Sequence, residues 1–153
     1  MLWEEFRSLA LPITREYFPP KLLEDNGDSI VFTSRRDYTS YVLTEDERGI
    51  VIAFEGERNT VVPFCITKSP ELAATCLTLL ARDGIATLTD MSYTPRDLLG
   101  PVPHTAFTIS KKSPPFFELT STIDPTVSAT CRSFACARAI AEASTPSLGS
   151  PRL

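Results

Sequence analysis

The sequence predicts a single α+β domain in which an antiparallel sheet of about six strands carries two long helices packed on it. Three observations support this fold class. The chain has 153 residues, the usual size of one domain. Between residues 29 and 67, short runs rich in β-branched and aromatic residues alternate with polar connectors of hairpin length. Two later segments carry apolar residues at helical spacing. We expect residues 1–144 to form the domain and residues 145–153 to be a disordered tail.

Composition and charge exclude several classes of protein. Apolar residues make up 42% of the chain and charged residues 22%, which excludes a disordered chain and a coiled coil. No run approaches the roughly 18 apolar residues that a membrane span needs, and the amino end lacks the pattern of a secretory signal. A cytoplasmic location without membrane contact is therefore expected. The net charge is −4 and basic residues occur in isolated pairs, which argues against nucleic-acid binding.

The first half of the chain predicts a short helix and then four strands. Leu2, Phe6, Leu9 and Ala10 form an apolar stripe, and Pro12 is expected to end that helix. An Asn-Gly turn then leads into a predicted antiparallel meander. Because a proline cannot donate to the ladder, the fourth strand is expected to be bulged at its proline or to lie at an edge. The four predicted strands span residues 29–34, 39–44, 49–54 and 60–67.

The second half predicts two long helices, a loop and two more strands. Ser69 is a favourable N-cap and Gly84 a helix end, so residues 69–84 are expected to be helical. Residues 85–104 contain three prolines and read as a long loop. Two strands follow at 104–110 and 116–122. Asp124 or Thr126 is then expected to cap the second long helix, whose stripe is Val127, Cys131, Phe134, Arg138 and Ala141.

A short motif occurs twice. Residues 70–76 and 125–131 both read P-x-[L/V]-x-A-T-C, and each stretch was expected to open a long helix. The repetition is consistent with two related halves, each a run of antiparallel strands finished by a helix. The alternative is that strand-turn-helix connections simply favour these residue types. The sequence leaves both interpretations open.

Four cysteines raise the question of a disulfide or a metal site. They are Cys65, Cys76, Cys131 and Cys136, and none forms a CxxC pair. Each lies among apolar or small residues, so we interpret them as buried, reduced thiols. Cys131 and Cys136 were placed on one predicted helix, with their side chains on different faces. The sequence supports neither a zinc site nor a disulfide framework.

Candidate catalytic chemistry is sparse. His104 is the single histidine, and no cysteine or carboxylate lies near it at a ligand spacing. Neither a glycine-rich phosphate loop nor a known hydrolase or kinase motif is present. We therefore predict a non-enzymatic protein with no catalytic residue, no cofactor and no bound metal. A small enzyme that uses His104 with a carboxylate or with Cys65 is the less favoured alternative.

Three stretches together are similar to a known family. In order, they are GDSIVFTSRRDYTSYVLTEDERGIVIAFEGER (27–58), FCITKSPELAATCLTLLARDG (64–84) and HTAFTISKKSPPFFELTST (104–122). This succession of strands, helix, proline-containing loop and strands resembles the immunity proteins of the tuberculosis necrotizing toxin antitoxin type. The resemblance implies a cytosolic bacterial antitoxin that binds a secreted NAD-glycohydrolase toxin and blocks its active site. A general protein-interaction or secretion-chaperone module with an exposed sheet face is the alternative.

Two hairpin tips and one loop are the predicted contact sites for a protein partner. Acidic tips flanked by arginine suit a toxin site that holds a substrate with cationic character, and the loop 95–103 offers an apolar anchor. Exposed tyrosine beside arginine is a common interface composition. The predicted partner-binding residues are Arg35, Arg36, Tyr38, Glu45, Asp46, Glu47, Arg48, Glu57, Arg58, Arg96, Leu98 and Leu99.

Overall fold

The computed structural model describes residues 2–18, 22–34, 39–55, 60–88, 102–104, 106–111 and 116–144. The helices are α1 (Leu2–Tyr17), α2 (Pro70–Asp83), α3 (Ile85–Leu88) and α4 (Phe134–Ser144). The strands are β1 (Leu23–Asp25), β2 (Ile30–Thr33), β3 (Ser40–Asp46), β4 (Gly49–Glu55), β5 (Val61–Thr67), β6 (Val102–His104), β7 (Phe107–Lys111), β8 (Phe117–Ser121) and β9 (Ser128–Cys131). The predicted tail, residues 145–153, lies outside the described residues.

The described strands form one antiparallel sheet in the order β1-β2-β3-β4-β5-β9-β8-β7-β6. Two meanders, β1–β5 and β6–β9, therefore meet at β5 and β9. Each meander is followed in the chain by a helix, α2 after β5 and α4 after β9. The antiparallel α+β architecture is confirmed, but the described sheet has nine strands instead of about six. The additional strands β1, β6 and β9 have only three or four residues each, at or below the lower limit of the runs that predict a strand from sequence.

The prediction that Pro12 ends the first helix was wrong, because α1 continues through Pro12 to Tyr17. Proline at this position removes one backbone hydrogen bond, and tertiary contacts outweigh that loss. The buried stripe of α1 comprises Trp3, Phe6, Ala10 and Thr14, and so extends past the proline. The Nε1 of Trp3 also donates to the Gly27 carbonyl at 2.6 Å.

The remaining predictions for the first meander and its helix hold. The pairing between β4 and β5 shifts between Ile52 and Ala53, which places a bulge opposite the stretch containing Pro63. Helix α2 begins after Ser69, whose Oγ accepts from the Leu72 amide at 3.2 Å. The helix ends at Gly84, whose amide donates to the Leu80 carbonyl.

The second long helix does not begin at Asp124 or Thr126. Asp124 Oδ1 accepts from the Thr126 amide at 3.1 Å and from its hydroxyl at 2.7 Å, which closes a turn between β8 and β9. Residues 128–131 are a strand whose side chains alternate between half-buried and buried, and α4 begins only at Phe134. Pairing with β5 and β8 on both sides overrides the helical spacing of this segment. The repeated motif thus lies in helix α2 in one copy and in a turn and strand in the other.

The predicted loop 85–104 and strand 104–110 are also corrected. Residues 85–88 form the one-turn helix α3, and residues 102–104 form β6. The predicted strand is divided, since His104 ends β6 and Phe107 begins β7, where the two residues pair. Residues 89–101 lie outside the described part of the chain.

The main core lies between the helices and one face of the sheet. Its sheet side includes Phe32, Tyr41, Leu43, Ile50, Ile52, Phe107, Ile109 and Leu119, all of which are fully buried or nearly so. Its helix side includes Phe6, Leu77 and Ile140. All four cysteines lie in this core with no exposed surface and are free thiols. Cys131 and Cys136 do not diverge as expected, because one lies on β9 and the other on α4 above it.

Candidate functional site

The second face of the sheet carries no described helix. The residues of the main core all point to the helix side, while Val51, Ala53 and Ile66 form a separate small cluster on the opposite face. Around this cluster the face is rich in half-buried hydroxyl side chains, namely Thr44, Thr108, Ser110, Thr120, Ser128 and Thr130. This open face is therefore a partly polar surface built on rigid strands, a setting that suits binding.

A groove of about 460 Å³ lies on the open face where the two meanders join. Its lining residues are Arg48, Ile66, Thr67, Lys68, Phe116, Thr126, Ser128, Ala129 and Thr130. They come from the β3–β4 hairpin, from the end of β5, from the start of β8 and from β9 with the turn before it. We take this groove as the candidate functional site.

The join between β5 and β9 forms the floor of the groove. Ile66 pairs with Thr130 across the join and retains only 8% of its surface exposed. Ser128 and Thr130 are two residues apart on β9, so their hydroxyls lie on the same face. Lys68 follows β5 and is exposed, and no ion pair to it is found in the part of the chain that the structure describes.

An aromatic side chain and a fixed cation mark the part of the groove near the start of β8. Phe116 precedes β8 and lies beneath the guanidinium of Arg132, 5.5 Å from the ring centroid. Arg132 Nε also donates to the Pro63 carbonyl at 2.9 Å, and this bond fixes the guanidinium over the ring. The aromatic wall is therefore held in a defined position by its neighbours.

The β3–β4 hairpin tip adjoins the groove and includes four of the predicted partner-binding residues. Asp46 and Arg48 form an ion pair of 2.6 Å, and the Arg48 amide donates to Asp46 Oδ1 at 2.8 Å. The side-chain hydrogen bond from Arg48 lowers the pKa of Asp46 below its ordinary value. Because Arg48 offsets the charge of Asp46, the exposed Glu47 carries the acidic character of the tip.

Glu45 contacts the helix layer. Its partner across the hairpin is the core residue Ile50, and its Oε1 accepts from the backbone amide of Trp3 at 2.9 Å. The first amides of a helix have no intrahelical acceptor, so this carboxylate stabilises the start of α1. The contact seen for Glu45 is therefore internal to the fold.

The other predicted contact residues lie outside the described residues. These are Arg35, Arg36, Tyr38, Glu57, Arg58, Arg96, Leu98 and Leu99. The backbone of His104 ends β6, but its side chain also lies outside the description, so the structure does not test its predicted lack of a catalytic role.

Sequence reasoning missed the groove itself. Lys68, Phe116 and Ser128 were not singled out, although residues 128–131 alternate in a way that fits a strand. The helical spacing of Val127, Cys131 and Phe134 concealed that alternation. If Asp124-Pro125-Thr126 had been interpreted as a turn, the sequence would have predicted a strand after it in place of the start of a helix.

The groove offers positive charge, hydroxyl groups and an aromatic ring. Arg48 and Lys68 are its titratable lining groups, and Glu118, the β8 partner of Thr130, lies on the same face beside it. Across the same described ranges, no group of three or more histidine, cysteine, aspartate or glutamate side chains is placed to hold a metal ion. The arrangement can bind an acidic or hydrogen-bonding segment of another molecule.

Comparisons with known proteins relate the chain to others through its fold. No family model matches the sequence, and no curated protein is significantly similar to it. The fold is similar to that of a solved structure. That structure is Rv3902c from M. tuberculosis, with a TM-score of 0.54 and 10% sequence identity over 93% of this chain and 79% of that chain. Among the described helices, none has the length and apolarity needed to cross a membrane.

Proposed function

We propose that this chain is a cytoplasmic immunity protein, an antitoxin without catalytic activity, that binds a cognate secreted toxin of the NAD-glycohydrolase class and blocks its active site. The observation that carries the proposal is the open sheet face, where a groove of about 460 Å³ lies beside the exposed tip of the β3–β4 hairpin. A hairpin next to a groove provides one element that enters a partner's cleft and one that receives a segment of the partner.

Rigidity supports this proposal. The floor of the groove belongs to two central strands, each hydrogen-bonded to a neighbour on both sides. The hairpin is fixed by the ion pair between Asp46 and Arg48. A preformed surface loses little conformational entropy on binding, which favours the tight association that inhibition requires.

The charge pattern supports a selective contact. Glu47 lies at the hairpin tip, whereas Arg48 and Lys68 line the groove, so charges of both signs lie close together. Such a pattern attracts a partner with the complementary arrangement and repels others. The charged rim lies next to the aromatic ring of Phe116, a residue type that is enriched in protein interfaces.

The likeness to known proteins gives further support. The sequence resembles the antitoxin family of the tuberculosis necrotizing toxin, and the fold is shared with a protein of M. tuberculosis. At 10% identity the structural likeness concerns the fold alone. The antitoxin role therefore depends on the surface described above and on the resemblance in pattern.

The proposal is tested first by co-purification with the product of the neighbouring gene, followed by assay of NAD hydrolysis by that product. We expect a stoichiometric complex in which NAD hydrolysis is abolished. A complex in which hydrolysis continues would instead indicate an interaction or secretion-chaperone module. Absence of any complex would contradict the antitoxin proposal for this gene pair.

The contact surface is tested with charge variants. Lys68→Glu is expected to weaken the complex at least roughly tenfold, since reversing a charge at a desolvated contact costs on the order of 2 kcal/mol or more. Arg15→Glu is the matched control, because Arg15 is exposed on α1, on the opposite side of the sheet. Phe116→Ala tests the aromatic wall. If Lys68→Glu and Phe116→Ala both bind as the unmodified protein does, the groove is not the contact surface.

A further inference from the structure

The four cysteines converge on one point of the core. Cys65 lies on β5, Cys76 on α2, Cys131 on β9 and Cys136 on α4, so each comes from a different element. The thiol of Cys65 interacts with those of Cys131 and Cys76, and the thiol of Cys136 interacts with the same two. The result is a closed ring of four thiols, which we call the thiol ring. None of the four residues has exposed surface.

Cys65 and Cys131 are direct partners across the join between the meanders. The Arg132 amide donates to the Phe64 carbonyl at 3.0 Å, so the adjacent pair is a hydrogen-bonded one. Hydrogen-bonded and non-hydrogen-bonded pairs alternate in an antiparallel ladder, which makes Cys65 and Cys131 a non-hydrogen-bonded pair with Cα atoms about 4.5 Å apart. Disulfides span Cα separations of roughly 4.4–6.8 Å, and the separation expected for this pair lies within that range.

A metal centre is the other chemistry that four thiols suggest. Four thiolates can bind zinc when they surround a common point. Within the described ranges, however, no group of three or more such side chains has the placement that a metal ion needs. The register of β5 and β9 instead favours a bond between two of the four sulfurs.

We propose that the thiol ring is an oxidation site, at which hydrogen peroxide converts Cys65 and Cys131 into an intramolecular disulfide. The Cys65 sulfur attacks one oxygen of the peroxide, the O–O bond breaks, and Cys65 becomes a sulfenic acid while one water is released. The Cys131 sulfur then attacks the sulfenic sulfur and forms the S–S bond, and the hydroxyl leaves as a second water. Two thiols have lost two protons and two electrons, and the peroxide has been reduced to two molecules of water.

Two thiols of the ring, Cys65 and Cys136, have a lowered pKa, and of these two Cys65 lies directly opposite Cys131 in the sheet. Hydrogen bonds from Cys131 and Cys76 lower the pKa of the Cys65 thiol, although burial acts in the opposite direction. The pKa of Cys131 is raised, first by its hydrogen bond to Cys136 and also by burial. Because the register places Cys131 directly opposite Cys65, Cys131 acts as the second, resolving thiol.

The disulfide would form a covalent cross-link between the two meanders. Three residue pairs form the ladder between β5 and β9, and Cys65 with Cys131 is one of them. Because the thiols have no exposed surface, the oxidant reaches them only when the core opens transiently. Once formed, the cross-link constrains the unfolded chain and is expected to raise the melting temperature.

The test treats the full-length protein with hydrogen peroxide, alkylates the remaining thiols after denaturation, and maps the products by mass spectrometry. We expect two alkylated cysteines instead of four, a mass about 2 Da lower for the cross-linked chain before alkylation, and a linked peptide pair containing Cys65 and Cys131. Reduction should restore four thiols and the original melting temperature. Four alkylated thiols, a Cys76–Cys136 link alone, or higher sulfur oxides without a link would each overturn the proposal.

Two variants provide a matched comparison. Cys131→Ser removes the resolving thiol and should abolish the link, whereas Cys76→Ser removes another member of the ring and should leave the link in place. Peptide mapping of the unmodified protein does not depend on either variant. The proposal therefore remains testable if a serine in the core prevents folding.

Discussion

Ser69 and Ser133 occupy the same position in the two halves of the molecule, because each caps the helix that follows a central strand. Ser69 Oγ accepts from the Leu72 amide at 3.2 Å, and Ser133 Oγ accepts from the Cys136 amide at 3.0 Å. The two carbonyls likewise accept from Ala73 and Ala137. Their surroundings differ, since Ser133 is buried and its hydroxyl also donates to the Leu88 carbonyl, which ties α3 to α4.

This difference predicts unequal effects of removing the two caps. Ser69→Ala should lower the free energy of unfolding by about 1 kcal/mol, the usual effect of losing a cap. Ser133→Ala should lower it by about 2–3 kcal/mol, because the buried Leu88 carbonyl also loses its donor. Urea denaturation of both variants measures the difference. Equal losses would show that the bond to Leu88 contributes nothing.

The glycine that follows the β3–β4 turn is expected to resist substitution. Gly49 has φ +125°, and a Cβ at this position would lie 2.6 Å from the Thr67 carbonyl oxygen. Gly49→Ala should therefore destabilise the fold by about 3 kcal/mol or more, through backbone strain together with a backbone clash. Thermal and urea unfolding measure this effect.

Gly27 provides the matched control. It also has a positive φ, +89°, but a Cβ there would meet nothing within 4 Å. Gly27→Ala should cost only the conformational strain, about 1–2 kcal/mol. If the two variants are equally stable, the close approach of β5 to Gly49 is not a constraint on the fold.

Replacing the proline inside α1 is expected to stabilise the protein. Pro12 is exposed and lies within a helix that continues on both sides. Pro12→Ala allows residue 12 to donate to the Ser8 carbonyl and removes the clash of the ring, so the free energy of unfolding should rise by about 1–3 kcal/mol. Pro70→Ala should bring no such gain, because the first position of a helix makes no intrahelical bond. A less stable Pro12→Ala protein would mean that the helix depends on a bend at this residue.

The ion pair between α1 and β1 predicts a pH dependence. Arg7 hydrogen-bonds to Asp25 at 2.5 Å and lowers the pKa of that carboxyl. A carboxyl whose pKa is lowered in the folded state contributes stability above its unfolded-state pKa, and this contribution is lost as the pH falls through the folded-state pKa. Asp25→Asn should therefore melt below the unmodified protein at pH 7, and the gap should close in acid. A gap that persists at low pH would assign the effect to packing.

The hairpin charge predicts a kinetic effect on partner binding. If the toxin presents a basic site, Glu47→Lys should slow association several-fold at low salt and leave the stability of the fold unchanged. Glu24→Lys makes the same charge change on β1, away from the hairpin. Asp46→Lys does not isolate the effect of charge, because it also removes the ion pair with Arg48 and the acceptor for the Arg48 amide. Equal association rates for Glu47→Lys and Glu24→Lys would remove the hairpin tip from the interface.

The first meander could be predicted from sequence because its signals are local. In the sequence, the runs that form β2 to β5 alternate with short polar connectors, and the helix signals at Ser69 and Gly84 lie beside the residues they affect. The second half could not be predicted equally well, because β9 is defined by its neighbours. Ala129 and Cys131 pair with Thr67 and Cys65 across a long stretch of chain, and no local pattern reports such a contact.

In the candidate site, too, the parts formed by neighbouring residues were predictable from sequence, and the parts formed by distant residues were not. The β3–β4 hairpin tip was predictable, since Asp46 to Gly49 form a local turn. The groove was not, because Lys68 and Ser128 become neighbours only when β5 pairs with β9. The thiol ring was hidden for the same reason, as its four members come from four separate elements.

Strands β5 and β9 pair antiparallel. When two identical chains related by a twofold axis pair through the same edge strand, that pairing is antiparallel as well. In a half-length polypeptide ending after α2, the backbone groups of β5 that face β9 would be without partners. Such a polypeptide is expected to form a symmetric homodimer through β5.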